Sequence, residues 1–269
     1  MMVLAAPGAS AAGTEVSRVP PDVVREERVI TVNGVGETWQ LVWEGKPLPV
    51  CGPDEIDMAI TCPCAGLAYG EHGRLALVRR RDGQEVERMD LRPLFGQFDG
   101  PGLDGYPDDG ATLQRWPANF MSDVDRDGRN DPTLDNEIRH RRLAEIMKFA
   151  DYDRDGHATE FLLQVGTLPC GKRQMALIGV STSNPHLHVF SAADNSKQPL
   201  VMAFWVWAAL LKGNGKADSL EWQCGDHGSD VESHIHVEAR DGSFSVKRWD
   251  RTCSPQEVGG ASYDSTPDQ

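Results

Sequence analysis

Residues 28–45 read RVITVNGVGETWQLVWEG, and this stretch predicts a β-hairpin. Its first half is rich in β-branched residues, and the pair Asn33 and Gly34 is typical of a two-residue turn between antiparallel strands. Large apolar residues alternate along the second half: Trp39, Leu41 and Trp43. Alternation with period two places such side chains on one face of a strand. The stretch therefore predicts antiparallel β-structure.

Two further stretches repeat this pattern, at residues 73–91 (GRLALVRRRDGQEVERMDL) and 233–249 (SHIHVEARDGSFSVKRW). Each contains an Asp-Gly turn pair, at residues 82–83 and 241–242. Between them lie the strand-like runs EFLLQV, MALIGVS, HLHVFS and LVMAFWVW. With 27 Gly and 17 Pro the chain has many turn residues, which disfavours a helical bundle. We expect a mainly β protein with several antiparallel hairpins, arranged like a sandwich or a propeller.

Two segments have helical patterns. Residues 132–149 place apolar side chains at three-to-four spacing with Arg and Glu between them, which predicts one sizeable helix. Residues 205–212 predict a shorter helix that ends at Gly213.

The charge of the chain limits its partners. There are 27 Lys and Arg against 41 Asp and Glu, a formal net charge of −14. Nucleic acids and anionic membranes need a positive protein surface, so neither is an expected partner. No apolar run approaches the roughly 18 residues of a transmembrane segment. The expected partner is a protein or a carbohydrate.

The aspartates are concentrated, because 12 of the 25 lie within residues 99–155. Many of them belong to two similar strings, DVDRDGRND at residues 123–131 and DYDRDGHATE at residues 151–160. Each string has carboxylates at positions 1, 3 and 5 and Gly at position 6. Ca²⁺ binds about six to eight oxygens, and alternate Asp side chains on a tightly curved loop can all point inward.

These loops supply the candidate ligands. The residue at position 7 contributes its carbonyl oxygen, so Arg129 and His157 are included. The full set is Asp123, Asp125, Asp127, Arg129 and Asp131 in the first loop, and Asp151, Asp153, Asp155, His157 and Glu160 in the second. Carboxylates this close repel one another unless a cation is bound. We expect at least one calcium site, flanking the helix of residues 132–149, in which the ion has a structural role.

The two strings resemble the calcium loops of EF-hand-like proteins, of dockerins and of the FG-GAP/VCBS repeats in secreted β-propellers. The resemblance covers the two loops only. Position 12, where EF-hands carry a bidentate Glu, is Leu134 in one loop and Leu162 in the other. Asp131 at position 9 is similar to the FG-GAP type, which makes the first loop the more complete site. The second has Thr159 there and continues directly into a strand, as FG-GAP loops do.

The N-terminal sequence MMVLAAPGASAAGTEV is apolar, rich in small residues and free of charge before Glu15. We interpret residues 1–17 as the end of a secretion signal; the alternative is a disordered terminus. Six cysteines in a secreted chain predict three disulfides, with zinc binding as the alternative: Cys51, Cys62, Cys64, Cys170, Cys224 and Cys253. The expected organisation is one disulfide-bonded β domain at 18–256, containing the loop and helix segment 119–162, and a flexible tail at 257–269.

Other patterns give weaker hypotheses. The His-x-His pairs at 186–188 and 234–236, the second followed by Glu238, can each ligate one metal ion from a strand face, as in a cupin. Residues 226–230 are interpreted as a turn after a disulfide, not as a hydrolase site. The tryptophans are interpreted as core residues, with a sugar-binding platform as the alternative: Trp39, Trp43, Trp116, Trp205, Trp207, Trp222 and Trp249.

The expected function is that of a secreted or periplasmic calcium-binding β-rich protein that acts as a binding or structural module. The alternative is a secreted hydrolase, for example a carbohydrate-active one, whose calcium ion is structural.

Overall fold

A computed structural model of the chain describes residues 21–51, 70–95, 110–115, 133, 136–137, 140–168 and 172–259. The strands are β1 (Asp22–Val32), β2 (Val35–Glu44), β3 (Leu48–Val50), β4 (Gly70–Gly73), β5 (Leu75–Arg81), β6 (Gln84–Asp90), β7 (Ala111–Leu113), β8 (Glu160–Leu168), β9 (Lys172–Gly179), β10 (His188–Val189), β11 (Val201–Ala203), β12 (Lys216–Trp222), β13 (Val231–Arg240) and β14 (Ser243–Thr252). Two α-helices have both ends within the described residues: α1 (Phe204–Lys212) and α2 (Pro255–Gly259). The prediction of a mainly β protein with one sizeable helix is confirmed.

The three hairpins predicted from the sequence are confirmed. They are β1–β2, β5–β6 and β13–β14, all antiparallel. Both residues of each turn have a positive φ, between 48° and 81°. Asn, Asp and Gly tolerate this conformation better than other residues, and its twist matches that of the flanking strands. Each turn pair therefore sets the register of its hairpin.

The strands of the described ranges form four sheets. The first sheet has the order β1-β2-β5-β6, and the third has the order β12-β13-β14. In the central sheet, β9 pairs with β8 on one side and with β10 and β11 on the other. A small sheet, β3-β4-β7, completes the set.

The central sheet is buried on both faces, which explains its almost continuous apolar sequence. One face packs against the first sheet, and this first core includes Trp39, Phe161 and Ile178. The other face packs against α1 and the third sheet, and this second core includes Leu177 and Trp207. The core interpretation holds for the tryptophans with almost no exposure: Trp39, Trp43 and Trp207.

The helix predicted over residues 132–149 is wrong in its second half. Residues 136, 137 and 140 are helical, but residues 141–149 have no helical structure. The chain instead crosses the first core, where Met147 is buried and the ring of Phe149 packs edge-on against Trp39 and Phe161. The sizeable helix is α1, at the place where residues 205–212 predicted a shorter one.

Two side chains from a bulge in β1 bind the backbone of this crossing segment. The register shifts between Val24 and Glu26, and both Arg25 and Glu26 are buried. Arg25 Nη2 donates to the carbonyl oxygen of Ala144 at 3.0 Å. Glu26 accepts hydrogen bonds from the N–H groups of Ile146 and Met147 at 2.7 and 3.1 Å. These backbone groups therefore have hydrogen-bond partners without forming a helix, because side chains distant in sequence bind them.

A buried network of charged side chains lies between the first sheet and residues 185–187. Arg79 donates to both carboxylate oxygens of Glu37, at 2.8 and 2.9 Å, and the two side chains are 3% and 0% exposed. Trp39 and Arg81 also donate to Glu37. Burial alone would raise the pKa of Glu37, but the hydrogen bonds from these three residues hold it below its usual value. Arg79 further donates to Glu87 and to the carbonyl oxygen of Pro185.

The disulfide prediction is confirmed in part. Cys224 and Cys253 are joined, with their Cα atoms 5.7 Å apart, and the bond links the chain after β12 to the chain after β14. Cys51 is also disulfide-bonded. The other three cysteines and residues 1–17 lie outside the described residues.

The predicted flexible tail, residues 257–269, begins inside α2. Glu257 accepts hydrogen bonds from Arg251 and from the N–H of Ser254, which hold this short helix against β14. Residues 260–269 lie outside the described part of the chain. Within that part, no helix is long and apolar enough to cross a membrane.

Candidate metal centre

The second acidic loop, residues 150–160, is closed at its base and fixed to both cores. The N–H of Ala150 donates to the carbonyl oxygen of Glu160 at 3.0 Å, forming an antiparallel bridge. The ring of Tyr152 packs edge-on against Trp207 in the second core, 5.9 Å between centroids. Phe149, just before the bridge, packs in the first core. The loop is therefore held at the junction of the two cores.

The Asp repeat shapes the loop through local hydrogen bonds. Asp153 Oδ1 accepts from the N–H of Asp155 at 3.1 Å, and Asp155 Oδ1 accepts from the N–H of His157 at 2.9 Å. Asp side chains commonly bind the backbone two residues on in this way. Arg154 and Gly156 have φ values of 60° and 92°, so the chain turns sharply at both.

Three carboxylates of this loop converge. Oxygens of Asp151, Asp153 and Glu160 all lie within 4.8 Å of one another, and they are the only group of this kind among the described residues. Asp153 and Glu160 are 0% exposed. Asp151 Oδ1 and Asp153 Oδ2 are buried without a hydrogen-bond partner. Buried polar atoms normally have a partner, so this arrangement is one that could hold a cation.

The electrostatics of the group fit that interpretation. Burial raises the pKa of Asp153 to about 7, and the nearby charges of Asp155 and Asp151 act in the same direction. Burial also raises the pKa of Glu160 to about 8. The hydrogen bond from Thr159 lowers this pKa, whereas the charge of Asp153 raises it. Each charged form is unfavourable by itself, and a bound cation would stabilise both.

The hydroxyl of Thr159 has two acceptors but one hydrogen. Its Oγ1 lies 2.6 Å from Glu160 Oε1 and 2.9 Å from the carbonyl oxygen of Val180. A protonated Glu160 satisfies this geometry, because it donates to Thr159 while Thr159 donates to Val180. The contacts agree with the raised pKa of Glu160.

The other two predicted ligands of this loop, Asp155 and His157, are not members of the side-chain group, and the carbonyl oxygen of His157 stays a prediction. Asp155 Oδ2 accepts hydrogen bonds from Thr182, and the charge of Asp155 contributes to the raised pKa of both Asp153 and Glu160. His157 is exposed, and its described contact is the N–H bond to Asp155. Glu160, whose spacing matches no standard loop, joins the group because it is the first residue of β8. The first loop, residues 123–131, lies outside the described residues, so its candidate ligands remain predictions.

Three neighbouring segments contact the loop. Gly242, in the β13–β14 turn, donates its N–H to the carbonyl oxygen of Asp153 at 3.0 Å. Arg154 Nη2 donates to the carbonyl oxygen of Leu211, near the end of α1, at 2.8 Å. Thr182 binds Asp155, as described above. The loop thus connects the third sheet, the helix and the chain after β9.

A close approach of two strands positions Glu160. A Cβ atom on Gly179 would lie 2.4 Å from the carbonyl oxygen of Thr159 and 2.8 Å from the Cα atom of Glu160. Real side chains are not found at such distances, so only glycine lets β9 approach the start of β8 this closely.

Gly179→Ala is therefore expected to lower the free energy of unfolding by about 1–3 kcal/mol, because the added methyl pushes Glu160 away from the group. Thermal unfolding measures the loss. The control is Gly36→Ala on β2, where a Cβ atom meets nothing within 4 Å. Equal stability of the two variants would contradict the close-approach argument.

The His-x-His pairs do not form a comparable group. His188 Nδ1 lies 2.9 Å from the carbonyl oxygen of His186, which is itself exposed. His236 Nδ1 lies 2.7 Å from Asp218, and His234 Nε2 lies 2.9 Å from Glu232. Within the described chain no histidine belongs to a set of three converging ligands. The residues that alternate with these histidines on β13, Ile235, Val237 and Ala239, are buried.

Residues 226–230 begin with a 3-10 turn close to the Cys224–Cys253 disulfide, as predicted. Asp226 forms an ion pair with Lys172, whose ammonium group lies 3.9 Å from the centroid of the Trp222 ring. Trp249 is 42% exposed and stacks on His234.

No protein-family model matches the chain, and no curated protein or solved structure is significantly similar to it.

Proposed function

We propose that the protein binds calcium through Asp151, Asp153 and Glu160, and that the ion has a structural role. The observation that carries the proposal is the fully buried Asp153, whose Oδ2 atom has no hydrogen-bond partner and belongs to the converging carboxylates. Leaving a buried carboxylate oxygen unpaired costs free energy, and a cation at this position offsets that cost.

The donor atoms favour a hard cation. The group offers carboxylate oxygens only, without the nitrogen or sulfur ligands that zinc and copper prefer. Ca²⁺ accepts irregular arrangements of oxygens from side chains, backbone and water, whereas Mg²⁺ requires nearly ideal octahedral geometry. A short irregular loop suits calcium better.

The position of the loop supports a structural role. It lies between the two cores and contacts α1 and the β13–β14 turn, so an ion here would stabilise a loop to which these parts of the molecule attach. We propose a secreted or periplasmic binding or structural module. The disulfides support export, because such bonds form and persist in oxidising compartments.

Calcium is expected to raise the unfolding temperature. At a free concentration one hundred times Kd, one site adds about 2.7 kcal/mol, which corresponds to roughly 5–10 °C for a chain of this size. Differential scanning calorimetry in calcium and in EDTA measures the shift, and isothermal titration calorimetry gives the stoichiometry. An unchanged midpoint in the wild-type protein would refute the proposal.

Matched variants identify the site responsible. Asp153→Asn should remove the contribution of the loop at residues 151–160, whereas Asp194→Asn, at an exposed position, should leave the calcium response intact. Asp125→Asn tests the first loop separately. A full calcium response that survives Asp153→Asn and disappears in Asp125→Asn would place the ion in the first loop instead.

A further inference from the structure

We propose that Asp155 is a positioning residue of the calcium site and not a ligand, and that its contact with Thr182 sets the calcium affinity. The inference rests on the proposed function and concerns the same loop. It departs from the motif, in which the carboxylate at position 5 binds the ion directly. The structure places the residues at positions 1, 3 and 10 together instead: Asp151, Asp153 and Glu160.

The carboxylate of Asp155 is held by three hydrogen bonds and is not a member of the converging group. Its Oδ2 atom accepts from the N–H and the hydroxyl of Thr182, at 2.5 and 2.8 Å. Its Oδ1 atom accepts from the N–H of His157 at 2.9 Å. Glu160 also makes three hydrogen bonds, with the N–H and hydroxyl of Thr159 and the N–H of Tyr152, but it belongs to the converging group and Asp155 does not. Asp153 differs, because its Oδ2 atom is buried without any such partner.

Thr182 is itself exposed, but it lies in a turn that backbone hydrogen bonds hold. Ser181 is 4% exposed, and Ser181 and Asn184 exchange backbone hydrogen bonds at 2.9 and 3.1 Å. A few residues further along the chain, the carbonyl oxygen of Pro185 accepts from Arg79, in the buried network of charged side chains. Thr182 can therefore fix the carboxylate of Asp155 in one place.

Asp155 in turn orients Asp153. The backbone N–H of Asp155 donates to Asp153 Oδ1, which leaves the Oδ2 atom of Asp153 for the ion. Fixing the Asp155 side chain from Thr182 limits rotation of this part of the loop, so the backbone donor stays aligned. Groups outside the coordination shell commonly set metal affinity through such orientation.

The test uses Thr182→Val, which removes the hydroxyl but keeps the shape and the backbone N–H. Because a hydrogen bond to a charged group is lost, calcium binding is expected to weaken roughly three- to tenfold by isothermal titration calorimetry. Thr182→Ser retains the hydroxyl and should bind like the wild-type protein. If Asp155 were a ligand, Thr182→Val would leave its carboxylate with one competing hydrogen bond fewer, and calcium would bind equally well or more tightly.

Asp155→Asn is the second variant. It keeps an oxygen acceptor for Thr182, so the expected loss of affinity is well below that of Asp153→Asn. Equal losses in these two variants would assign a ligand role to Asp155 and overturn the inference, as would unchanged or tighter binding in Thr182→Val. In all variants, the affinity compared is that of the calcium site that Asp153→Asn abolishes.

Failure of the inference differs from failure of the proposed function. If the wild-type protein binds no calcium at this loop, both are overturned together. If it binds calcium, but Thr182→Val binds calcium equally well or more tightly, or Asp155→Asn loses as much affinity as Asp153→Asn, only the positioning role is overturned. Circular dichroism in EDTA checks that each variant is folded before the titrations are compared.

Discussion

Arg79→Leu is expected to lower the free energy of unfolding by about 3–5 kcal/mol, because it leaves the buried carboxylate of Glu37 without its main partner. Glu37 is fully buried and receives two hydrogen bonds from Arg79. The substitution also removes the donor to Pro185, and with it a bond between the first sheet and the chain after β9. A domain has a total stability of about 5–15 kcal/mol, so this loss is large. Denaturant unfolding at neutral pH measures it.

Arg88→Leu is the matched control on the same sheet. Arg88 also binds several carboxylates, including Asp22 and Glu85, but its side chain is 30% exposed. Ion pairs in contact with solvent contribute about 0–1 kcal/mol each, so a much smaller loss is expected. In the double variant Glu37→Leu/Arg79→Leu, part of the stability should return, because no unpaired charge remains in the core. Similar losses in the two single variants would contradict the argument from burial.

The elements predicted correctly from the sequence are those whose signals are local. A turn pair such as Asn33 and Gly34 determines its own φ angles, and alternation such as that of Trp39, Leu41 and Trp43 determines which face of a strand is apolar. The almost continuous apolar runs of β8 and β9 indicated strands, but their burial on both faces depends on layers that are distant in sequence.

The features missed from the sequence depend on pairs of residues far apart in the chain. Arg25 and Glu26 bind a segment about 120 residues further on, and they replace the helical hydrogen bonds predicted there. Arg79 meets Glu37 across 42 residues. An Arg or Glu in an alternating strand is normally a surface residue, so nothing in the local pattern marks these side chains as buried.

The candidate site shows the same division. The Asp repeat predicted a curved loop, and the side chains of Asp153 and Asp155 accept hydrogen bonds from the backbone two residues on. The inclusion of Glu160 depends on where β8 begins and on the close approach of Gly179 from β9. The orientation of Asp155 depends on Thr182, in another loop. Neither fact is encoded in the spacing of the carboxylates.

Asp153→Asn is expected to change stability in opposite directions with and without calcium at pH 8. In EDTA the variant should be more stable than the wild-type protein by roughly 2–4 kcal/mol, because it removes a buried charge. In saturating calcium the wild-type protein should be the more stable one, since the variant loses the ion. Calorimetry of both proteins under both conditions measures the inversion.

The dependence on pH follows from the sign of the pKa shift. Asp153 has a pKa of about 7 in the folded protein, raised from 3.8, so between these values the folded state binds more protons than the unfolded state. The stability of the calcium-free wild-type protein should therefore fall as the pH rises from about 4 to about 8, and Asp153→Asn should reduce this slope. Calcium replaces the protons, so its affinity should increase over the same range. If the free energy of unfolding depended on pH in the same way in both proteins in EDTA, the pKa of Asp153 would not be raised by burial. The basis for a cation at this position would then be lost.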